Sequence, residues 1–228
     1  MTAESGAGLY IFSAFLLFVS HAVPSAPGVR DRLLAGLGDR AFRVIYSLLS
    51  LLVLVFFVWT YRGYDGALWL FEPLQGAAFL AVGLMPIAFF LVLGRLLTPL
   101  GDLQRPKAVR GIYALIRFPG SSGLLLWSLL HLGATGDLKR VVFFATMALI
   151  SLYALLKNNW VLARATTAEA RAFRWASSNV PFRAVLRGRV PGHCLVAIWQ
   201  PLVVGLLGYA LVLWLHPLLF GVNPLAWL

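Results

Sequence analysis

The sequence predicts an all-α integral membrane protein, a bundle of about six transmembrane helices with both termini on the outer side. Three observations predict it. Of 228 residues, 61% are hydrophobic and only 12% charged, with a mean hydropathy of +0.85, which excludes an ordinary soluble domain, a disordered chain and a collagen-like repeat. Apolar stretches near the ~20 residues that cross a bilayer core recur along the chain, without the strict alternation of a membrane barrel. Lysine and arginine gather in every second loop between those stretches.

The whole chain, residues 1–228, reads as a single transmembrane domain. Its first span falls at residues 6–23. Only Glu4 precedes it, Arg30 and Arg32 follow it, and no small-x-small cleavage site is present, so it reads as a retained helix and not a signal peptide. The second and third spans fall at residues 44–60 and 74–94. A fourth, at 120–136, is short, the fifth occupies 141–163, and the sixth, at 194–220, is long enough to expect tilt or a break at Pro201 or Pro217. Between the last two lies the one long stretch outside the bilayer, a basic connector over residues 164–193. Thr166 and Glu169 have capping-box spacing, and the run through Trp175 makes a short helix that Ser177, Ser178, Asn179 and Pro181 end. Phe173 and Trp175 beside Arg171 and Arg174 suit a helix lying on an anionic leaflet; the alternative is a connector that serves topology alone.

Charge sets the orientation. Of the 19 lysines and arginines, all but Arg62, Lys139 and Arg140 lie in or beside the loops after spans one, three and five. The positive-inside rule places those loops in the cytoplasm and both termini outside, in a multi-pass integral membrane protein. Trp59, Trp69, Trp214 and Trp227 then fall at the outer interface as an aromatic belt. The net charge of +11 is therefore a topology signal. Without aromatic-interleaved basic patches it does not indicate nucleic acid; the partners implied are the bilayer and a membrane complex or second copy.

A lone Cys194 closes no internal disulfide and makes no thiolate cluster, so metal or redox chemistry falls to histidine or a bound cofactor. His21 and His193 lie at the cytoplasmic ends of spans one and six, His131 and His216 near the outer ends of spans four and six. His21 and His131 are separated by on the order of 20 Å of membrane depth, too far to share one metal. The pairs that share a level are His21 with His193, and His131 with His216. For each histidine the alternative is an interfacial residue bonded to a carbonyl. No P-loop, dinucleotide fingerprint, zinc-protease or serine-elbow motif occurs. The outer carboxylates Asp65, Glu72 and Asp137 are too shallow for a proton relay. Gly120 with Gly123, and Gly205 with Gly208, read as small-residue helix contacts.

The blocks Ser20-His21-Ala-Val-Pro-Ser25, Val29-Arg30-Asp-Arg32, and Leu37-Gly38-Asp-Arg40 running to Ser50 strongly resemble the NnrU family of bacterial membrane proteins. Gly111-Ile-Tyr113 with Arg117, Leu126-Trp127, His131 to Asp137, Ser178 to Phe182, and Leu215-His216-Pro217 to Pro224 extend the resemblance over nearly the whole chain. That family is similar to the plant and cyanobacterial 15-cis-zeta-carotene isomerase, a membrane haem b enzyme with histidine ligands, and its denitrifying members are associated with nitric oxide metabolism. The resemblance implies His21 as a haem axial ligand and His131 and His216 as family-motif residues. It implies Arg40, Arg43 and Arg117 as forked partners of haem propionates. The family's Arg-His-Pro is here Arg117-Phe118-Pro119, and Phe118 cannot bind iron. Either His21 ligates alone, or His193 supplies the second ligand, or this chain holds no haem.

Two functions follow from the resemblance. One is an accessory or assembly subunit of a membrane complex linked to nitrogen oxide metabolism. The other is a haem-dependent isomerase or redox enzyme acting on a lipophilic polyene such as a carotene. A weaker similarity links Gly111 to Pro119 with membrane methyltransferases, whose cofactor histidine is also the residue replaced by Phe118.

Overall fold

The computed structural model describes residues 3–227, and all regular structure among them is helical. The helices are α1 (Ala3–Ala22), α2 (Pro27–Gly63), α3 (Ala77–Leu97), α4 (Ile112–Leu115), α5 (Pro119–Gly133), α6 (Leu138–Arg164), α7 (Ala168–Ala176), α8 (Arg183–Leu186) and α9 (Trp199–Phe220), with 3-10 turns at Gly192–Ile198 and Pro224–Trp227. Four stretches are long and apolar enough to cross a membrane: Pro27–Gly63, Ala77–Leu97, Leu138–Arg164 and Gly192–Phe220. Of the six expected, the other two are shorter. The apolar part of α1 is Gly6–Ala22, and α5 has 15 residues, roughly 22 Å at ~1.5 Å per residue.

The long helices pack side by side in the order α2, α1, α6, α5, α3, α9, and among the described residues no broad contact between α2 and α9 closes the row. Successive neighbours are held by two devices. Where helices approach closely, glycine removes the obstacle. A Cβ on Gly123 of α5 would stand 2.8 Å from the Ala88 carbonyl of α3, and one on Gly205 of α9 would stand 2.6 Å from the Phe90 Cα. In lipid, where burying leucine against leucine gains little, such close contact supplies much of the attraction. At the other side of the row, α1, α2 and α6 meet through Tyr10. Its ring stacks on Phe57 and Tyr64 at 5.5 and 5.8 Å, and its hydroxyl donates to the Lys139 carbonyl at 2.8 Å.

The connections sort to two ends. At one end, residues 64–76 and 133–138 form a short antiparallel bridge, Trp69 with Asp137, in which the Leu70 and Leu138 amides donate to the Gly136 and Leu68 carbonyls, each at 2.8 Å. At the opposite end, the segments between α3 and α5 and between α6 and α9 fold together into a cap. Ile112, Tyr113, Ile116, Phe118, Leu162 and Phe173 are buried in its core. Arg62, Lys139 and Arg140 belong to the first end, and the remaining basic residues to the cap end or the start of α2. Trp59, Trp69 and Trp214 are exposed toward the first end; the Trp227 side chain lies outside the described residues.

Several expectations are corrected. The helix that carries the second span extends well before Val44: Pro27, whose fixed φ suits a first helical position, starts α2, and Gly38 with φ 76° and ψ 160° breaks it into two arms. The break in the last span is neither at Pro201 nor at Pro217. It is the 3-10 turn Gly192–Ile198; Pro201 sits in the first turn of α9, where its missing N–H is not needed, and Pro217 near the end. Thr167, not Thr166, caps α7 by accepting the Ala170 amide at 3.2 Å. Phe173 does not face a leaflet: it is 2% exposed within the cap, with Trp175 on the outside at 61%.

The glycine contacts are testable. Gly123→Ala should lower stability by ~1–3 kcal/mol through overpacking, while Gly8→Ala, whose added carbon meets open space, should be neutral or stabilising by up to ~1 kcal/mol. Thermal unfolding of the detergent-solubilised variants, followed by circular dichroism, checks this; equal midpoints would mean that α3 and α5 do not touch at Gly123.

Candidate functional site: the basic cap

The cap end begins with the turn out of α1. Pro24 cannot continue the helix, and the carbonyls it orphans are met by side chains. Ser25 Oγ donates to the His21 carbonyl at 2.6 Å, Tyr153 Oη to the Ala22 carbonyl at 2.8 Å, and Ser20 Oγ to the Leu17 carbonyl at 2.9 Å. The Ser20 to Ser25 block thus has a capping role. His21 itself is half-buried, its Nδ1 3.0 Å from the Leu17 carbonyl and its ring edge-on to Tyr46 at 6.5 Å.

Arg117 organises the cap. Its Nε donates to Ser177 Oγ at 2.9 Å, Nη1 to Asn159 Oδ1 at 3.0 Å, and Nη2 to the Arg174 and Ser177 carbonyls at 2.9 and 2.8 Å. Its own amide donates to the Ser178 carbonyl at 2.8 Å. One planar fork therefore joins the residue two before α5, the last part of α6 and the carbonyl end of α7, where a cation is favoured by the helix dipole. Burial, with Arg174 and Arg189 nearby, pulls the guanidinium below its usual pKa. Burial likewise raises Tyr113, whose hydroxyl donates to the Thr98 carbonyl at 2.7 Å.

The remaining joints are backbone-driven. Gly111 has φ 58° and ψ −132°, a conformation closed to side-chain-bearing residues, and its amide donates to the Cys194 carbonyl at 2.8 Å. Thr167 Oγ1 donates to the Gln104 carbonyl, tying α7 to the segment after α3. Phe182 carries the one positive φ of a non-glycine residue among those described, 61°, held by its amide on the Leu115 carbonyl at 2.9 Å.

Against this frame the sequence-derived site residues separate. His21 belongs to the α1–α2–α6 side of the row, whereas His193 is exposed on the turn that packs with α4 and α9; the structure does not bring them together. Phe118 is sealed in the cap core and does not face His21. Arg43 is ion-paired with Asp39 at 2.6 Å on the exposed surface of α2, Arg40 is exposed beside it, and Arg117 has given its donors to the cap. The three arginines do not form one cluster. At the other end, His131 Nδ1 lies 2.8 Å from the Trp127 carbonyl, with the ring stacked on Phe144 at 4.4 Å. His216 Nδ1 lies 2.7 Å from the Val222 carbonyl, where it holds the turn after α9. No group of three or more His, Cys, Asp or Glu among the described residues is arranged to hold a metal ion.

Sequence reasoning missed Asn159, Ser177 and Ser178 as a unit. The signal available was the amide side chain of Asn159 close to the end of an apolar span, which is costly unless bonded.

A family model described as NnrU protein matches residues 9–224. No curated protein and no solved structure matches the chain.

Replacing the fork removes three joints at once. Arg117→Met should destabilise the cap by on the order of 2–4 kcal/mol, given charge-assisted bonds worth ~1.5–3 kcal/mol each and some relaxation. Limited trypsin digestion in detergent should then cleave at Arg171, Arg174 or Arg183 at low protease, sites protected in the parent protein; unchanged protection would show that the fork is dispensable.

Proposed function

The chain belongs to the NnrU family, and from that premise we propose that it is a six-span protein of the bacterial inner membrane, both termini outside, acting as a noncatalytic accessory or assembly subunit of a complex linked to nitrogen oxide metabolism. The orientation is supported by the placement of nearly all cationic side chains at the cap end. α1 and α5, each shorter than a full span, complete the six because both lie between longer neighbours in the row.

The observation that carries the accessory reading is the open edge of the row. Among the long helices α9 packs broadly on α3 alone, and only Pro201 and Gly205 of α9 are buried. A catalyst for a lipophilic substrate needs a cleft that surrounds it, and this edge supplies a wall, which lipid, a second copy or another protein has to cover.

Haem b finds only part of what it needs among the residues present. The His21 imidazole, with Nδ1 held at the Leu17 carbonyl, has the donor chemistry of one axial ligand. The rest does not fit: His193 stands on another part of the row, Phe118 fills the cap, Arg43 is paired with Asp39 and Arg117 is engaged by the cap. The methyltransferase reading meets the same obstacle at Phe118.

Two measurements test this proposal. Protein extracted in mild detergent from its native membrane should migrate on a native gel well above the position of its 25.0 kDa chain in detergent, and should show no stoichiometric Soret absorbance; a Soret band abolished by His21→Ala would replace the accessory reading with the haem one. A reporter fused after Leu228 should read non-cytoplasmic, and a cytoplasmic signal would overturn the orientation.

A further inference from the structure

The cap holds a cleft of about 380 Å³ lined by Arg117, Ser178, Asn179, Val180, Arg183 and Arg189, with no aspartate or glutamate on its wall. Among the described residues the ion pairs are Arg43 with Asp39 and Arg140 with Asp137, so none of the three lining arginines has an acidic partner there. Their hydrogen bonds are unequal. Arg117 is nearly saturated by protein acceptors. Arg189 gives one long bond, Nη1 to the Trp175 carbonyl at 3.4 Å, and Arg183 gives no side-chain bond within the described residues. Asn179 uses one amide hydrogen on Asn159 Oδ1 at 2.8 Å. Ser178 Oγ accepts the Val180 amide at 3.0 Å, which leaves its own hydrogen to donate.

The wall is thus rich in donors and cation and carries no neutralising acid. Like charges lining one cleft repel unless an anion joins them, and guanidinium forks match the paired oxygens of a phosphate or a carboxylate, the phosphate bringing the larger charge and a third oxygen. The volume lies in the range of about 300–1,000 Å³ typical of small-molecule sites, roomy for a bare inorganic ion and suited to a phosphate bearing a small organic substituent. The position adds a constraint: Arg117 stands two residues before α5 and Asn159 within the last two turns of α6, at the level where those helices leave the apolar layer. The Ser178 to Phe182 block, unexplained by the accessory reading, forms one side of the cleft and holds the strained Phe182 immediately before Arg183.

We propose that the cleft under Ser178–Asn179, closed by Arg183 and Arg189 over the anchored Arg117, is a binding site for a phosphate ester. The same chemistry is offered by an anionic phospholipid headgroup and by a soluble phosphorylated small molecule. This inference is independent of the haem and accessory readings; it requires only the cap.

The test uses the full-length protein in a neutral maltoside detergent. Phosphatidylglycerol is titrated in mixed micelles and retained lipid counted by native mass spectrometry; glycerol 1-phosphate and inorganic phosphate are titrated by calorimetry. Arg183→Gln with Arg189→Gln should weaken whichever probe binds by about tenfold or more, as expected for the loss of two charge-assisted contacts. Arg105→Gln with Arg110→Gln, the same change in charge on the same cap but away from the cleft, should shift it no more than about twofold. Retention of phosphatidylglycerol without competition by glycerol 1-phosphate assigns the headgroup, and saturable binding of glycerol 1-phosphate assigns a soluble ester; either supports the site. Failure of the parent protein to bind either probe better than the Arg183/Arg189 variant overturns it. Equal weakening by the Arg105/Arg110 variant also overturns it, since binding would then follow diffuse charge. Unchanged thermal unfolding midpoints of both variants, followed by circular dichroism, show that the cap is folded in the comparison.

Discussion

The cap depends on one guanidinium. Arg117 has no carboxylate partner, so its charge is stabilised by oriented neutral acceptors: an amide oxygen on α6, a hydroxyl, and two carbonyls at the end of α7. Removing a charge from water costs several kcal/mol even after relaxation, and any one bond of ~1.5–3 kcal/mol would not offset that. Four bonds with a favourable helix dipole do. The balance holds only when α5, α6 and α7 are all in place, so the interaction acts as an assembly condition: a partly formed cap leaves the charge half-solvated and gains little.

The same rule governs the spans in neutral form. Away from water each hydroxyl has to find an acceptor, and apart from Ser50, whose buried Oγ has no partner among the described residues, the structure meets this locally or across helices. Ser128, Thr146 and Ser151 donate to the carbonyl four residues earlier, at 2.7 Å in each case. Ser13 and Thr60 meet across α1 and α2 at 2.6 Å, while Tyr10 and Tyr153 reach carbonyls near the two ends of the α1–α6 contact. Only cross-helix bonds of this kind specify neighbours. They occur on the α1–α2–α6 side and again between α9 and α3, where the Tyr209 hydroxyl donates to the Val82 carbonyl at 2.7 Å; the α3, α5 and α9 side adds close approach at Gly123, Gly205 and Gly208. The two halves of the row differ in how far glycine contact supplements the bonds.

That division explains what could be read from the sequence. Hydropathy located every long helix, because crossing lipid is a property of a segment and not of its neighbours. Small-residue contacts were legible for the same reason, glycine in an apolar helix having few other uses. The cap was not. Phe173 sits in a run of charged residues and gave a surface pattern, yet its burial follows from Tyr113 and Leu162, far away in sequence. Gly38 looked like one more small residue, although its backbone turns α2. Arg117 was visible as a motif residue, but the direction of its side chain depends on where Asn159 and Ser177 arrive. For His21 and Phe118 sequence can suggest a depth, while lateral position in the row requires contacts that it does not encode.

An exposed leucine on a lipid-facing helix says nothing about a partner, since acyl chains solvate it as well as a protein would. The edge position of α9 is informative for a different reason. Its attachment to α3 runs through Gly205 against the Phe90 backbone, Gly208 against the Leu93 side chain and the Tyr209 hydroxyl on the Val82 carbonyl at 2.7 Å, contacts that are strong when close and lost within an ångström or so of separation. A helix held along one flank has no second contact to limit its rocking about that line. The cap limits it instead: the turn Gly192–Ile198 is fastened to the Gly111 amide, and Gly111 is in turn part of the segment that leads to Arg117. Order at the edge of the row is therefore transmitted from the basic cap, through Gly111 and the turn that precedes α9.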